Sequence, residues 1–122
     1  MYTLSFGGTL LVATDETPVL QLEIERQPGA NIVHCTGKVV IDSWTLFSVT
    51  VRALIPEGKP IFVDLSKVSV VDSVGIGTFV SVWASARKSG CELKFINLNE
   101  QIHDLFEITR LHGLFGSDVP GA

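Results

Sequence analysis

A carboxylate, a hydroxyl and two glycines stand close together in the stretch Asp-Ser-Val-Gly-Ile-Gly at positions 72–77. Asp72 is a natural N-cap, because its side chain accepts hydrogen bonds from N–H groups that the first helical turn leaves free. Ser73 then occupies the first helical position, at the carboxyl end of a strand, where open α/β sheets bind ligands. Gly75 and Gly77 each cost roughly 1 kcal/mol in a helix relative to Ala, so close approach of a strand or a partner is expected there. The stretch is therefore a candidate binding site.

An enzymatic role for Ser73 has little support. A valine stands two positions before it, so the Gly-x-Ser-x-Gly elbow of hydrolases is absent, and no motif places a base nearby. Asp64 and Asp72 could form a carboxylate pair for acid–base chemistry, but a strand-end turn and a helix cap explain them more simply. Gly75-x-Gly77 lacks the third glycine of a dinucleotide fingerprint. We predict no enzyme activity, and the sequence leaves nucleotide binding undecided.

Composition and charge argue against several other functions. The 122 residues, 46% of them hydrophobic, suit one globular domain. Nine scattered Lys and Arg and a net charge of -4 offer no basic surface for nucleic acid. His34 and Cys35 are adjacent, so in a strand they point to opposite faces, and we predict neither metal nor cofactor. Apolar runs such as Val74–Ser85 are shorter than the roughly 20 residues of a membrane span. Without a visible secretory signal, a cytoplasmic protein with no direct membrane insertion is predicted.

Apolar periodicity predicts the first elements of the domain. Leu20, Leu22 and Ile24 alternate with polar residues, which is the period-2 pattern of a half-buried strand. Turn-forming residues at 27–31 connect this strand to an apolar run at Ile32–Thr36. We therefore predict that the two strands form a hairpin.

Helices and strands alternate in the rest of the chain. From Ser73 to about Lys88, apolar residues recur at three- and four-residue spacing, which predicts a helix with one face on a sheet. The other predicted elements are a helix from Asp42-Ser43 to the Pro/Gly-rich residues 56–60, a strand at Ile61–Val63 closed by residues 64–66, a strand at Cys91–Ile96, a helix from residues 97–100, and a segment Arg110–Phe115 that packs back. Alternation requires crossover connections, so the later strands should be parallel and the first antiparallel to its neighbour.

These elements predict one α/β domain. Its mixed sheet has four to five strands and is packed with about four helices. The domain is expected to span residues 19–115. Residues 1–18 would be an N-terminal extension with one short strand at Thr9–Ala13, and residues 116–122 a flexible tail.

Three stretches carry a resemblance to a known family. They are Val-His-Cys-Thr-Gly at 33–37, Ile-Phe-Val-Asp-Leu-Ser at 61–66, and Val-Val-Asp-Ser-Val-Gly-Ile-Gly at 70–77. In this order they resemble the sulfate transporter and anti-sigma factor antagonist (STAS) domain, over about residues 19–115. The combination of the second and third stretches is fairly specific, whereas each alone is weak. The resemblance implies a STAS-like fold and a regulatory role without catalysis.

The resemblance also implies roles for individual residues. Ser73 matches the serine that a partner kinase phosphorylates, and the partner-binding residues would be Asp72, Ser73, Val74, Gly75 and Gly77. The implied partners are an anti-sigma factor with serine kinase activity and a phosphatase, and a homodimer is left open. The unphosphorylated surface would bind the anti-sigma factor, and the phosphorylated form would release it. Val74 departs from the family, which often has Ser or Ala there, so the partner's identity stays open.

A second function remains compatible with the same surface. The chain could be a non-catalytic STAS subunit of an ABC transporter or of a signalling scaffold, in which Ser73 is not phosphorylated. Phosphate incorporation separates the two hypotheses.

Overall fold

The computed structural model describes residues 2–6, 9–14 and 17–109, with side chains described from residue 19 to residue 109. The elements are β1 (Tyr2–Phe6), β2 (Thr9–Thr14), β3 (Thr17–Gln27), β4 (Ala30–Val39), α1 (Trp44–Leu54), β5 (Ile61–Val71), α2 (Ser73–Lys88), β6 (Leu93–Ile96) and α3 (Glu100–Ile108). A short 3-10 turn, Ile55–Glu57, follows α1. Among these residues no helix combines the length and the apolar character that crossing a bilayer requires.

The sheet confirms the predicted α/β class and strand directions. Strands β3 and β4 form the predicted antiparallel hairpin, and β4, β5 and β6 are parallel neighbours. These four strands make the mixed sheet that the sequence predicts. Strands β1 and β2 extend its edge, so the described sheet has six strands in the order β1-β2-β3-β4-β5-β6. The sequence predicted only one short strand before residue 18, and β1 was not predicted. A five-residue strand such as β1 depends more on its pairing with β2 than on its own sequence pattern.

Strand β5 is longer than its sequence indicates. A turn was expected at residues 64–66, but the strand continues from Ile61 to Val71. It pairs with β6 only as far as Asp64, whereas it pairs with β4 along its whole length, with two irregularities in register. Polar residues in the middle of the strand therefore face solvent beyond the end of β6, which explains why the pattern resembled a turn. The strand leads directly into Asp72.

Four phenylalanines join the helices to one face of the sheet. Phe47 of α1, Phe79 of α2, Phe95 of β6 and Phe106 of α3 are each 0% exposed. The ring centre of Phe79 lies 5.1 Å from that of Phe47 and 4.9 Å from that of Phe95. Such aromatic contacts stabilise a core beyond the area that they bury. They hold α2 in a defined position relative to the sheet.

The helix count differs slightly from the expectation of about four. The described residues contain three α-helices and the 3-10 turn. The segment Arg110–Phe115, predicted to pack back onto the domain, and the predicted tail at 116–122 lie outside the described residues.

Candidate functional site at the start of helix α2

Helix α2 begins at the predicted residue. Asp72 is its N-cap, with extended backbone angles, and its Oδ1 accepts a hydrogen bond from the N–H of Gly75 at 2.8 Å. Ser73 is the first helical residue and is exposed. Arg87 and Lys88 lie in the last turn, where cations interact favourably with the helix dipole. The local sequence therefore accounts for both ends of this helix and for the position of the serine.

Asp72 also connects α2 to a distant loop. Its Oδ2 accepts a hydrogen bond from the N–H of Ile41, at 3.0 Å, in the loop between β4 and α1. The carboxylate thus has a backbone N–H on each oxygen, which makes it a structural anchor between α2 and this loop. The bond to Ile41 was not predicted, because 31 residues separate the two positions.

The same loop is held by Ser43. The sequence indicated Asp42-Ser43 as the cap of α1, and Ser43 does occupy the N-cap position, but its side chain caps nothing. Its Oγ instead donates to the carbonyl of Lys38 at 2.6 Å and accepts from the N–H of Val40 at 3.0 Å. Ser43 is 1% exposed. Because this buried hydroxyl both donates and accepts a hydrogen bond, it keeps the loop, and with it Ile41, beside Asp72.

The two glycines of α2 have different surroundings. Gly75 is buried, and a Cβ on it would lie 2.1 Å from the carbonyl oxygen of Val39 and 2.8 Å from Cγ1 of Val71. The expected close approach of a strand is therefore found at Gly75. Gly77 is exposed, and a Cβ there would meet nothing within 4 Å. Gly77 thus leaves a bare patch of helix backbone facing solvent.

Exposed apolar side chains lie near the start of α2. Ile41 is 64% exposed and Trp44 is 40% exposed. Trp44, Val74 and Gly77 line one groove, and the hydrogen bond to Asp72 places Ile41 at the same end of α2. We call Ile41, Trp44, Ser73, Val74 and Gly77 the Ser73 face. Exposed apolar residues grouped in this way are typical of a surface that binds another protein. The sequence did not indicate Ile41.

Comparison with known proteins supports the resemblance seen in the motifs. The sequence profile described as STAS domain matches residues 21–119, which is most of the chain. The chain belongs to the STAS domain family. The expected fold and the family resemblance are therefore both confirmed.

Relatives of this STAS domain carry a consistent description. The anti-sigma-B factor antagonist of Bacillus subtilis (strain 168) is 28% identical over 92 residues, covering 75% of this chain and 84% of the relative. The structure of an anti-sigma factor antagonist from Mycobacterium paratuberculosis matches with a TM-score of 0.70 at 16% identity, covering 85% of this chain and 87% of that chain. The Bacillus cell fate determinant SpoIIAA in its phosphorylated form matches with a TM-score of 0.62 at 13% identity, covering 81% and 92%. At such identities the two structures show a shared fold.

The outer face of the STAS sheet carries a charged cluster that the sequence did not predict. His34 and Cys35 point to opposite faces as expected, with Cys35 in the core at 2% exposure. His34 Nδ1 lies 2.8 Å from Oδ2 of Asp64 on β5, and its Nε2 lies 2.8 Å from Oε1 of Glu25 on β3. Asp64 therefore acts within the sheet and not in a strand-end turn. The three side chains link three adjacent strands.

The geometry of this cluster favours a protonated histidine. Ionised carboxylates only accept hydrogen bonds, so both ring nitrogens of His34 must donate for both contacts to be hydrogen bonds. Burial lowers the pKa of His34, but the hydrogen bonds to Glu25 and Asp64 raise it, and the net direction is upward. The hydrogen bond from His34 lowers the pKa of Glu25, with a smaller contribution from Gln27.

We expect His34 to stabilise the domain in a pH-dependent manner. A histidine whose folded pKa is raised contributes stability that is fully present below its unfolded pKa, near 6.5, and that is lost as the pH rises through the folded value. The free energy of unfolding of His34→Gln should therefore be lower than that of wild type at about pH 5.5. At about pH 8.5 the two free energies should be nearly equal. Urea denaturation of both proteins at the two pH values measures this. His103→Gln, on the exposed side of α3, is the control, and an equal deficit of His34→Gln at both pH values would contradict the assignment.

Proposed function

We propose that this STAS domain is an anti-sigma factor antagonist-like regulatory protein in a phosphorylation-controlled partner switch. It binds an anti-sigma factor with serine kinase activity through the Ser73 face, and phosphorylation of Ser73 releases the partner. The observation that carries the proposal is the exposed hydroxyl of Ser73 at the first residue of α2. The name of the Bacillus subtilis relative supports the class of partner, and the phosphorylated SpoIIAA structure supports the type of modification.

The start of α2 can hold a phosphate without refolding. The N–H groups of Ser73 and Val74 have no acceptor within the helix, and the helix dipole favours an anion there. The carboxylate of Asp72 opposes this attraction, because a phosphate adds about -1.5 to -2 charges. The two effects act in opposite directions within the domain. We therefore expect the modification to change the surface more than the fold.

Partner release follows from the character of the Ser73 face. Ile41 and Trp44 offer apolar area that a partner would bury beside the serine. A phosphate inside such a contact must lose part of its hydration, which is costly unless the partner supplies compensating charges. In this proposal Ser73, Val74 and Gly77 contact the partner directly. Asp72 and Gly75 shape the surface from beneath, since the Asp72 carboxylate binds the N–H groups of Ile41 and Gly75, and Gly75 is buried. A phosphatase would restore the binding form.

The surroundings of Ser73 favour a phosphate acceptor over a catalytic nucleophile. Both oxygens of Asp72 bind backbone N–H groups. Among the side chains of residues 19–109, none forms a hydrogen bond with the Ser73 hydroxyl, whereas an activated nucleophile is typically paired with a base. The kinase chemistry would belong to the partner. Because that partner consumes ATP, the proposal places the domain in the cytoplasm.

Phosphate transfer tests the proposed function. Each anti-sigma factor encoded in the same genome is incubated with ATP and the purified domain, and the products are examined by mass spectrometry. Wild type and Ser89→Ala, altered at an exposed serine just beyond the other end of α2, should each gain one phosphate. Ser73→Ala should gain none. Phosphate on another residue would overturn the assignment of Ser73, and no transfer by any of these proteins would favour the transporter or scaffold function.

A further inference from the structure

A groove of about 220 Å³ separates α1 from α2 and adjoins the Ser73 face. Its walls combine an indole ring, a guanidinium group, small hydroxyl side chains and the bare backbone of a glycine. The lining residues are Trp44, Ser48, Arg52, Val74, Gly77, Thr78 and Ser81. The Ser73 face does not include the guanidinium of Arg52, which lies in this groove.

Among the described side chains, only hydroxyl groups hold Arg52 in place. Its Nε donates to Ser48 Oγ at 2.9 Å, its Nη2 to Ser81 Oγ at 2.5 Å and its Nη1 to Ser85 Oγ at 2.5 Å. A guanidinium carries five N–H donors, so these bonds leave two of them. No carboxylate among residues 19–109 forms an ion pair with Arg52, whereas Arg26 on the hairpin pairs with Glu57. Within the described part of the chain, Arg52 is thus oriented but its charge is not neutralised.

The groove lies within reach of any partner that covers Ser73. Ser73, Gly77 and Ser81 follow one another at four-residue spacing, so they lie along one ridge of α2. At 1.5 Å per residue, Ser81 is roughly 12 Å along the axis from Ser73. A stable interface buries about 800 Å² on each partner, which corresponds to a patch of roughly 16 Å radius. A partner centred on Ser73 would therefore also cover Arg52.

We infer that the anti-sigma factor places a carboxylate side chain in this groove, paired with Arg52, next to an apolar group that packs on Trp44. The inference rests on the proposed function and extends it to the chemistry of the partner. Covering an unpaired guanidinium without a counter-charge would leave a desolvated cation, which is strongly unfavourable. Serine hydroxyls orient the group but carry no negative charge. An acidic residue of the partner removes this penalty, and a carboxylate fits the two remaining N–H donors.

Removing the charge of Arg52 tests the inference. The affinity of the domain for the anti-sigma factor that binds wild type is measured by calorimetry at about 50 and about 300 mM salt. Arg52→Gln should bind at least about tenfold more weakly, with a smaller dependence on salt. Arg87→Gln is the control, because it removes an arginine charge from α2 at the end far from Ser73, where the guanidinium lies over Trp83. This control should bind within about twofold of wild type.

A second variant separates loss of charge pairing from loss of folding. Ser81→Asp leaves Arg52 in place but gives it a carboxylate within the chain, so it should fold and still bind at least about tenfold more weakly. Circular dichroism and thermal unfolding establish that each variant is folded. If Arg52→Gln and Ser81→Asp both fold and bind like wild type, the inference is wrong.

The outcomes also distinguish this inference from the proposed function. If Ser73→Asp loses binding while the two groove variants keep it, the partner switch stands and the groove has no acidic occupant. If no anti-sigma factor from the genome binds wild type, both the proposed function and the inference fail. Sedimentation of the domain alone tests a second copy of the chain as occupant. A dimer that Arg52→Gln abolishes would assign the groove to self-association and overturn the inference.

Discussion

Gly75→Ala is expected to lower the free energy of unfolding by about 3 kcal/mol, near the upper end of overpacking effects. The added Cβ would lie 2.1 Å from the carbonyl oxygen of Val39, a backbone atom at the end of β4. Alanine has a higher helix propensity by about 1 kcal/mol, but this gain is smaller than the cost of displacing β4 or α2. Urea denaturation of the purified variant measures the difference.

Gly77→Ala is the matched control for this steric argument. It places the same methyl group two residues further along α2, where nothing lies within 4 Å. The control should therefore stabilise the domain by up to about 1 kcal/mol. Opposite signs for the two variants would show that contact with β4, and not helix propensity, requires glycine at position 75. Changes of the same sign and size would contradict the packing seen here.

Ser73→Asp should weaken binding to the anti-sigma factor by about a hundredfold, because it places an unpaired charge inside an otherwise apolar contact. The free energy of unfolding should change by less than about 0.5 kcal/mol, since the side chain is exposed and an acid suits the start of a helix. Calorimetry with the partner and urea denaturation measure the two quantities on the same protein. A loss of affinity without a loss of stability is the signature of a surface switch.

Two further variants control the binding experiment. Ser89→Asp introduces the same charge just beyond the other end of α2 and should leave the affinity unchanged. Ser73→Ala should bind as tightly as the unphosphorylated wild type, because it adds no charge. If Ser73→Asp binds as well as Ser73→Ala, charge at this position does not control the partner, and the proposed switch is wrong.

Short-range patterns were sufficient for the hairpin and for helix α2. The alternation of Leu20 and Leu22 with polar residues, and the turn at Pro28-Gly29, identify β3 and β4 because a half-buried strand repeats every two residues. The cap at Asp72 and the apolar spacing after it identify α2 because an N-cap acts within three residues of the helix start. Each of these features involves neighbours in the chain.

Contacts between distant residues were not accessible in this way. The bond from Ile41 to Asp72 joins positions 31 apart, and His34 meets Asp64 across 30. Arg52 reaches Ser81 and Ser85 over 29 and 33 positions. Periodicity shows which face of an element is apolar, but it does not show which side chains meet when two elements pack.

The amino-acid sequence alone was enough to establish the α/β class, the STAS family and a serine at the first position of a capped helix. The fold determined the different surroundings of Gly75 and Gly77, the exposed apolar side chains near the start of α2 and the hydroxyl partners of Arg52. The reason is physical. Caps and turns form through bonds between near neighbours, whereas the composition of a surface depends on how strands pair and how helices pack against them.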